Sequence, residues 1–500
     1  MRVAIVGSGF GGIGMAVRLK RAGIDDFVVL ERAGEVGGTW RDNSYPGCAC
    51  DVPSHLYSFS FAPNPDWTRS YSPQAEILAY LRGVAEREGI LPHVRTNHEV
   101  TETAWDEDAQ RWRIAAGGEE LEAQVLVVSA GPLSEPSIPK LPGLETFEGA
   151  SFHSAAWDHS QPLDGRRVAV VGTGASAIQF VPQIQPEVDR LHLFMRTPPW
   201  IIPRDDRDIS ERERRVFRAF PPAQTMMRAG VFASREALVL GMMYPRAGKL
   251  IERRARKQLE EQVADPVLRE RLTPSYQIGC KRILVSDDFY PSVGQPNVEL
   301  VTGGIREVRA RSIVSGDGVE REIDAIVFGT GFLTTDWPFA HRIRGRGGEL
   351  LADRWRGGAR AYLGTTIAGY PNLFLLYGPN TNLGHSSIVY MLESQANYVM
   401  DALRVMDEQG AASVELREQA QERFDREIQE RLSTSVWNVG GCGSWYLDAD
   451  GRNALMWPGT ILRFRHRTRR FDPRPYVLRG DESGRAAVHP AEGVSAHTHA

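Results

Sequence analysis

Two glycine-rich turns, each set between a strand and a helix, constrain this chain more than any other feature. Val3-Ala4-Ile5-Val6 is a short apolar run that ends in Gly7-Ser8-Gly9-Phe10-Gly11-Gly12, and Ile13, Ala16, Val17 and Leu19 then recur at helical spacing. A second strand, Phe27 to Leu30, ends on Glu31, roughly two dozen residues after Gly7 and close to the ~20 expected of an acid that accepts from a ribose hydroxyl. Such a unit suits a dinucleotide for physical reasons. Glycine lets the backbone approach a pyrophosphate, and the helix N-terminus offers free N–H groups at the positive end of its dipole.

The arrangement recurs. Val168-Ala169-Val170-Val171 leads into Gly172-Thr173-Gly174-Ala175-Ser176-Ala177, followed by the helical apolar set Ile178, Phe180 and Val181. One match is weak by itself; two in the same strand–helix context imply two dinucleotide sites. The next strand of the second unit, Leu191 to Met195, ends on Arg196-Thr197 rather than on an acid. A cation there suits a 2′-phosphate, so this site is expected to prefer NADP over NAD. Two such sites predict a flavin that takes hydride from a nicotinamide, since either cofactor alone needs one fold.

Composition agrees with a large soluble globular protein. At roughly 100–200 residues per domain, 500 residues predict about three domains, and 42% hydrophobic with 24% charged residues excludes a disordered or fibrous chain. A net charge of −4 gives no nucleic-acid footprint. Four cysteines make no disulfide framework and point to a reducing compartment. The glycines interrupt the first apolar run before a signal-peptide core of about 7–15 residues can form. The most membrane-like stretch, Ala237 to Tyr244, falls far short of the ~20 apolar residues a span needs. A cytoplasmic protein without integral membrane association is expected, as a monomer or weak homo-oligomer.

Between about Asp205 and Pro274 the pattern turns to charged, helix-period sequence, read as an insertion in the second nucleotide domain. Its Met226, Met227, Met242 and Met243 are read as core filling in preference to a substrate route. The fold expected is α/β, with two Rossmann-like dinucleotide-binding domains, for FAD and NADP, and a helical insertion in the NADP domain. The boundaries expected are 1–145 for the first part of the FAD domain, 146–205 and 276–331 for the NADP domain, 206–275 for the insertion and 332–480 for the rest of the FAD domain. A mobile loop is expected near 436–452 and a disordered tail over 481–500.

The electrons need an acceptor. Disulfide reductases that share this double-fold plan carry a CxxxxC pair after the Gly-Gly that follows the first acid; here Gly37-Gly38-Thr39 is followed by Trp40, and Tyr45 stands five later. Cys48 and Cys50, one residue apart, are poorly placed for a bridge and read as structural thiols. No HExxH, GxSxG or clustered His/Cys pattern supports a hydrolase or a metal site. Oxygen remains.

Two long motifs then make a resemblance specific. Phe147-x-Gly149-x-x-x-His153-x-x-x-Trp157-Asp158 and Gly37-Gly38-x-Trp40-x-x-x-x-Tyr45-Pro46-Gly47-x-x-x-Asp51 resemble the fingerprints of type I Baeyer–Villiger monooxygenases, and the likeness covers roughly residues 1–465. The related N- and S-oxygenating flavin monooxygenases place other residues where Trp157-Asp158 stands; they, and a non-catalytic FAD- and NADP-binding regulator, are the alternatives. The resemblance implies an NADPH- and O2-dependent enzyme that inserts oxygen beside a ketone carbonyl, through a C4a-peroxyflavin and a tetrahedral adduct, to give an ester or lactone. It implies that Arg282, in the Lys281-Arg282 pair, is the catalytic arginine, and that Asp51 pairs with it near the flavin. Lys281, Arg196 and Thr197 match positions contacting the NADP 2′-phosphate, and Trp40 and Tyr57 match flavin-proximal ones. Gly7, Gly9, Phe10, Gly12, Glu31, Thr39 and Val100 complete the FAD set. Gly172, Thr173, Gly174, Ala175, Ser176, Ala177 and Gln179 complete the NADP set. Trp445 resembles the tryptophan of a loop that folds over NADP. His153 and Trp157 are expected to couple domain motion to catalysis.

Overall fold

The computed structural model describes residues 1–480 apart from Tyr244, Thr335, Trp445 and Ala449; for residues 240–242 and 245–247 it describes the backbone alone. Ten strands carry the architecture: β1 (Val3–Val6), β2 (Phe27–Leu30), β3 (Val94–Arg95), β4 (Val125–Val128), β5 (Ala150–His153), β6 (Arg167–Val171), β7 (Arg190–Phe194), β8 (Val298–Val301), β9 (Ala325–Phe328) and β10 (Leu373–Leu375). They form two five-stranded parallel sheets, ordered β10-β4-β1-β2-β3 and β8-β7-β6-β9-β5. The strands β2, β4 and β9 read as unbroken apolar runs, FVVL, VLVV and AIVF, because both faces are covered, as parallel sheets require.

Each glycine turn sits where the strand order reverses. β1 lies between β2 and β4, and β6 between β7 and β9, so the crevice beyond their carboxyl ends opens beside α1 (Phe10–Arg21) and α2 (Ala177–Ile184). The helices α3 (Glu211–Ala219), α4 (Pro221–Met243), α5 (Pro245–Gln262) and α6 (Pro266–Leu272) occupy the stretch between β7 and β8. A Ser210–Glu213 capping box starts α3. The methionines there do not behave as expected: Met226 and Met227 are exposed, so neither fills the core, while Met243 packs against it and the side chain of Met242 lies outside the described residues. The covered face of α4 is the one that carries Gln224, Glu236 and Val239, and Met226 and Met227 lie off it.

α7 (Ile388–Gln409), started by Ser387 accepting from the Val389 N–H, packs along α1. A four-stranded sheet, Val100–Asp106, Arg111–Ala116, Glu119–Ala123 and Ile343–Arg344, flanks the first nucleotide fold. One apolar core runs from the first parallel sheet to one face of the second, and a smaller cluster around Phe194, Ile326 and Phe328 covers the other face. Cys280 and Cys442, which the sequence reading had not singled out, form a disulfide across a separation of 162 residues, whereas Cys48 and Cys50 are buried thiols. Residues 436–439 form a short helix, α8 (Val436–Val439), with Trp437 buried. Among the described residues no helix is long and apolar enough to cross a membrane.

Candidate active site

A single cavity of 1040 Å³ is lined by both glycine turns, larger than the roughly 300–1,000 Å³ of an ordinary small-molecule pocket. The two turns use one device. Gly7 has φ +94°, and a Cβ there would lie 2.7 Å from the Ser129 carbonyl oxygen just past β4; Gly172 has φ +105°, and its Cβ would lie 2.5 Å from the Gly329 carbonyl oxygen just past β9. Only glycine fits either place, so the backbone is held open toward whatever occupies the crevice. Gly12 and Ala177 stand behind this wall. A Cβ on Gly12 would meet the Gly7 carbonyl oxygen at 1.8 Å, and Ala177 is fully buried, so both set helix-to-strand packing and do not line the cavity.

On the first side Phe10, Thr39, Trp40, Tyr57 and Val100 line the cavity, and the Trp40 Nε1 donates to the Tyr57 hydroxyl at 3.2 Å. Glu31, 4% exposed, ends β2 and is already fully engaged. Its carboxylate accepts from Ser8 N (3.0 Å), Ser8 Oγ (2.6 Å) and Ala33 N (3.0 Å) and pairs with Arg41 at 3.0 Å. Burial pushes this carboxyl upward, but the hydrogen bonds and the Arg41 charge outweigh burial and leave it below the usual range. Ser8 and Arg41 escaped the sequence reading; Ser8 lies inside the glycine motif as an unspecified position.

On the second side Thr173, Gly174, Ala175, Ser176, Gln179, Arg196, Thr197 and Lys281 line the cavity. Burial, with Arg196 nearby, lowers the Lys281 ammonium from its ordinary value, and its Nζ sits 5.2 Å from the centre of the Tyr276 ring. Two cations in one wall, one destabilised by the other, form a place for an anion such as a phosphate. Gln179 joins the two halves. Its Oε1 accepts from Ala49 N (3.0 Å) and Tyr45 OH (3.3 Å), and its Nε2 donates to the Ala49 carbonyl (3.2 Å).

At the junction Arg282 and Asp51 come together across 231 residues. The Arg282 Nε donates to Asp51 Oδ2 at 2.7 Å, and Nη2 lies 2.6 Å from the same oxygen. The Asp51 charge raises the guanidinium above even its ordinary value, so Arg282 stays a cation at any working pH. Tyr377, half-buried and held at φ +66°, and the buried Tyr446 stand beside it, and nothing local in the sequence marks either. Burial pushes the Cys48 thiol up to about 12 and Cys50 further, which leaves no thiolate for redox work beside Asp51. Trp445 lies outside the described residues. His153 and Trp157 stand away from the cavity lining: His153 meets Phe332 edge-on at 5.7 Å and Trp157 packs on Phe180 at 5.3 Å, where the two nucleotide folds join.

The residues fit two dinucleotides: two cradles that a Cβ would fill, an oriented carboxylate on one side and paired cations on the other. Residues 4–212 match the family described as pyridine nucleotide-disulphide oxidoreductase. The chain is similar to proteins named Baeyer–Villiger monooxygenase from Streptomyces coelicolor (54% identical, 96% of this chain and 93% of that one) and Pseudomonas aeruginosa (51%, 95% and 91%). Among solved structures it is similar to OTEMO in complex with FAD and NADP, at a TM-score of 0.86 and 26% identity over 96% of this chain and 99% of that one.

Proposed function

Because the chain belongs to the Baeyer–Villiger monooxygenase family, we propose that Arg282, aimed by Asp51, is the catalytic residue of a ketone oxygenation. The enzyme is an FAD- and NADPH-dependent monooxygenase that turns a ketone and O2 into an ester or lactone. When bound, FAD supplies hydride acceptance from NADPH and the activation of O2. Gly7, Gly9, Phe10, Glu31, Thr39, Trp40, Tyr57 and Val100 would hold it, with Gly12 fixing the turn from behind. Gly172, Thr173, Gly174, Ala175, Ser176, Gln179, Arg196, Thr197 and Lys281 would hold NADPH, with Ala177 in the supporting role and Trp445 on the covering loop. The chain divides accordingly: 1–145 and 332–480 serve FAD, 146–205 and 276–331 serve NADP, and 206–275 is the insertion. The two five-stranded sheets support that division. The two buried thiols Cys48 and Cys50 support a cytoplasmic location, and the Cys280–Cys442 bond speaks against it.

The observation that carries the assignment is the Asp51–Arg282 pair inside a cavity shared by both glycine turns. Attack on a ketone places negative charge on the carbonyl oxygen, and a permanently charged guanidinium already oriented by a carboxylate stabilises that charge without rearranging. Arg282→Ala is expected to keep NADPH-driven bleaching of the flavin and to lower ester formation by about 10²-fold or more. Ester formation retained at the wild-type rate in Arg282→Ala would refute the role, and loss of flavin reduction would place Arg282 in NADPH binding instead of in the oxygenation. A broad ketone and sulfide panel that gave only hydrogen peroxide, at the rate seen without substrate, would refute the reaction.

A further inference from the structure

Cys280 immediately precedes Lys281 and Arg282, and its disulfide partner Cys442 lies between α8 and Tyr446. The bond therefore ties a segment bearing both functional cations to a segment that contributes Gly443 to the cavity wall. Close approach here is built in. The Gln277 N–H donates to the Gly440 carbonyl at 3.0 Å, and a Cβ on Gly440 would fall 2.6 Å from Cys280 Cβ and 2.9 Å from its Sγ. The two cysteines differ in access: Cys280 is 1% exposed, whereas Cys442 is half-buried, the more accessible of the two. Cys48 and Cys50, by contrast, are buried thiols with no partner cysteine.

We infer that Cys280–Cys442 is a redox modification site, opened by a dithiol reductant, and that its state sets how firmly NADP(H) is held beside Lys281. The NADP part rests on the functional reading above. In the opening step a thiolate of the dithiol attacks Cys442 Sγ, breaking the Cys280–Cys442 bond, forming a mixed disulfide and releasing Cys280, which takes up a proton. The second thiol of the reductant then displaces Cys442, which is protonated in turn. Two electrons pass from the dithiol to the protein, the dithiol leaves as its own disulfide, and its two protons end on the two cysteines. With the bond open, residues 440–444 keep the hydrogen bond from Gln277 to Gly440 but lose the covalent tie, so bound nucleotide must order a looser wall at Gly443. A reducing compartment keeps thiols reduced, which makes the open form the default there and the bonded form the response to oxidation.

The test uses FAD-loaded enzyme purified in air without reductant. Denatured and titrated for thiols, it should show two, and four after dithiothreitol followed by removal of the reductant. NADP+ titrated into the oxidised flavoprotein and followed by the flavin difference spectrum should bind about three- to tenfold more weakly after reduction, and reoxidation with diamide should restore the affinity. The FAD content should not change. Cys442→Ser should match the reduced form and ignore dithiothreitol; reversible reduction of the wild type gives the same comparison should that variant lose FAD. Four thiols before reduction, or equal NADP+ affinity in the two states, would overturn the inference. Ketone oxygenation is assayed separately: its absence alongside a redox-dependent NADP+ affinity would sink the ketone assignment and leave this one standing.

Discussion

Four contacts from three residues hold Glu31 before any ligand arrives, and that is why it can serve as a fixed acceptor. A free carboxylate would lose side-chain freedom on binding a ribose; here Ser8, Ala33 and Arg41 have already taken that freedom away. Its pKa lies below the usual range, so the folded protein holds this proton less tightly than the unfolded chain. The resulting stability is present at pH values above the ordinary glutamate value of about 4.3 and disappears as pH falls through the lower folded value. Glu31→Gln should therefore cost about 1–3 kcal/mol at pH 7, measured by urea unfolding of the FAD-free protein, and should lower the FAD retained on purification. The stability gap should narrow only below about pH 4.3; a gap independent of pH would show that the charge is not what the site uses. Glu31 is legible in sequence because it ends a strand at the right distance from Gly7. Arg41 is not, because its choice of Glu31 over its other acidic neighbour Asp42, or in addition to it, is decided by how the short segment after Gly38 folds back. Arg282 and Asp51 are legible only through the motifs around them, since 231 residues separate the pair.

The strand–turn–helix units are the elements most open to sequence, since period, glycine and strand end all agree within a dozen residues. The antiparallel sheet from Val100 to Ala123 and the exposed Met226 and Met227 were less open, because both depend on what the rest of the chain packs against them. The paired turns also make a differential prediction. Gly172→Ala forces a Cβ to 2.5 Å from the Gly329 carbonyl oxygen at a positive φ, in the second unit alone. The variant should purify with its usual FAD, while the KM for NADPH rises roughly tenfold or more, equivalent to at least about 1.4 kcal/mol of lost binding. Coupled loss of FAD and NADPH binding would mean that the two turns do not serve separate nucleotides.

At the scale of the whole molecule, the chain leaves one nucleotide fold, builds another with an insertion inside it, and returns at β10 to complete the first sheet. The insertion must then be fastened to a fold it does not belong to in sequence. Arg228, on α4, does much of that fastening: it donates to the His55 carbonyl (2.7 Å), Ser58 Oγ (2.9 Å), the Ser58 carbonyl (3.0 Å) and the Tyr390 hydroxyl (3.0 Å), with its guanidinium 4.8 Å from the centre of the Tyr390 ring. The Arg69–Asp206 pair and the Arg235 bond to Tyr71 act at the same boundary, but each offers fewer or more exposed contacts. Arg228→Met keeps most of the side-chain volume and removes the donors, leaving the part-buried His55 and Ser58 carbonyls without a charged partner. A loss of about 2–4 kcal/mol is expected, scaled from hydrogen bonds to charged groups. Hydrogen exchange should show where it falls: the amides of α4 and α5 should lose protection while those of β1 and β4 keep it, because the insertion opens without the sheet. Uniform loss of protection across α4 and β1 would show that the insertion and the first nucleotide fold unfold as one unit, and that Arg228 is one contact among many in a single cooperative core.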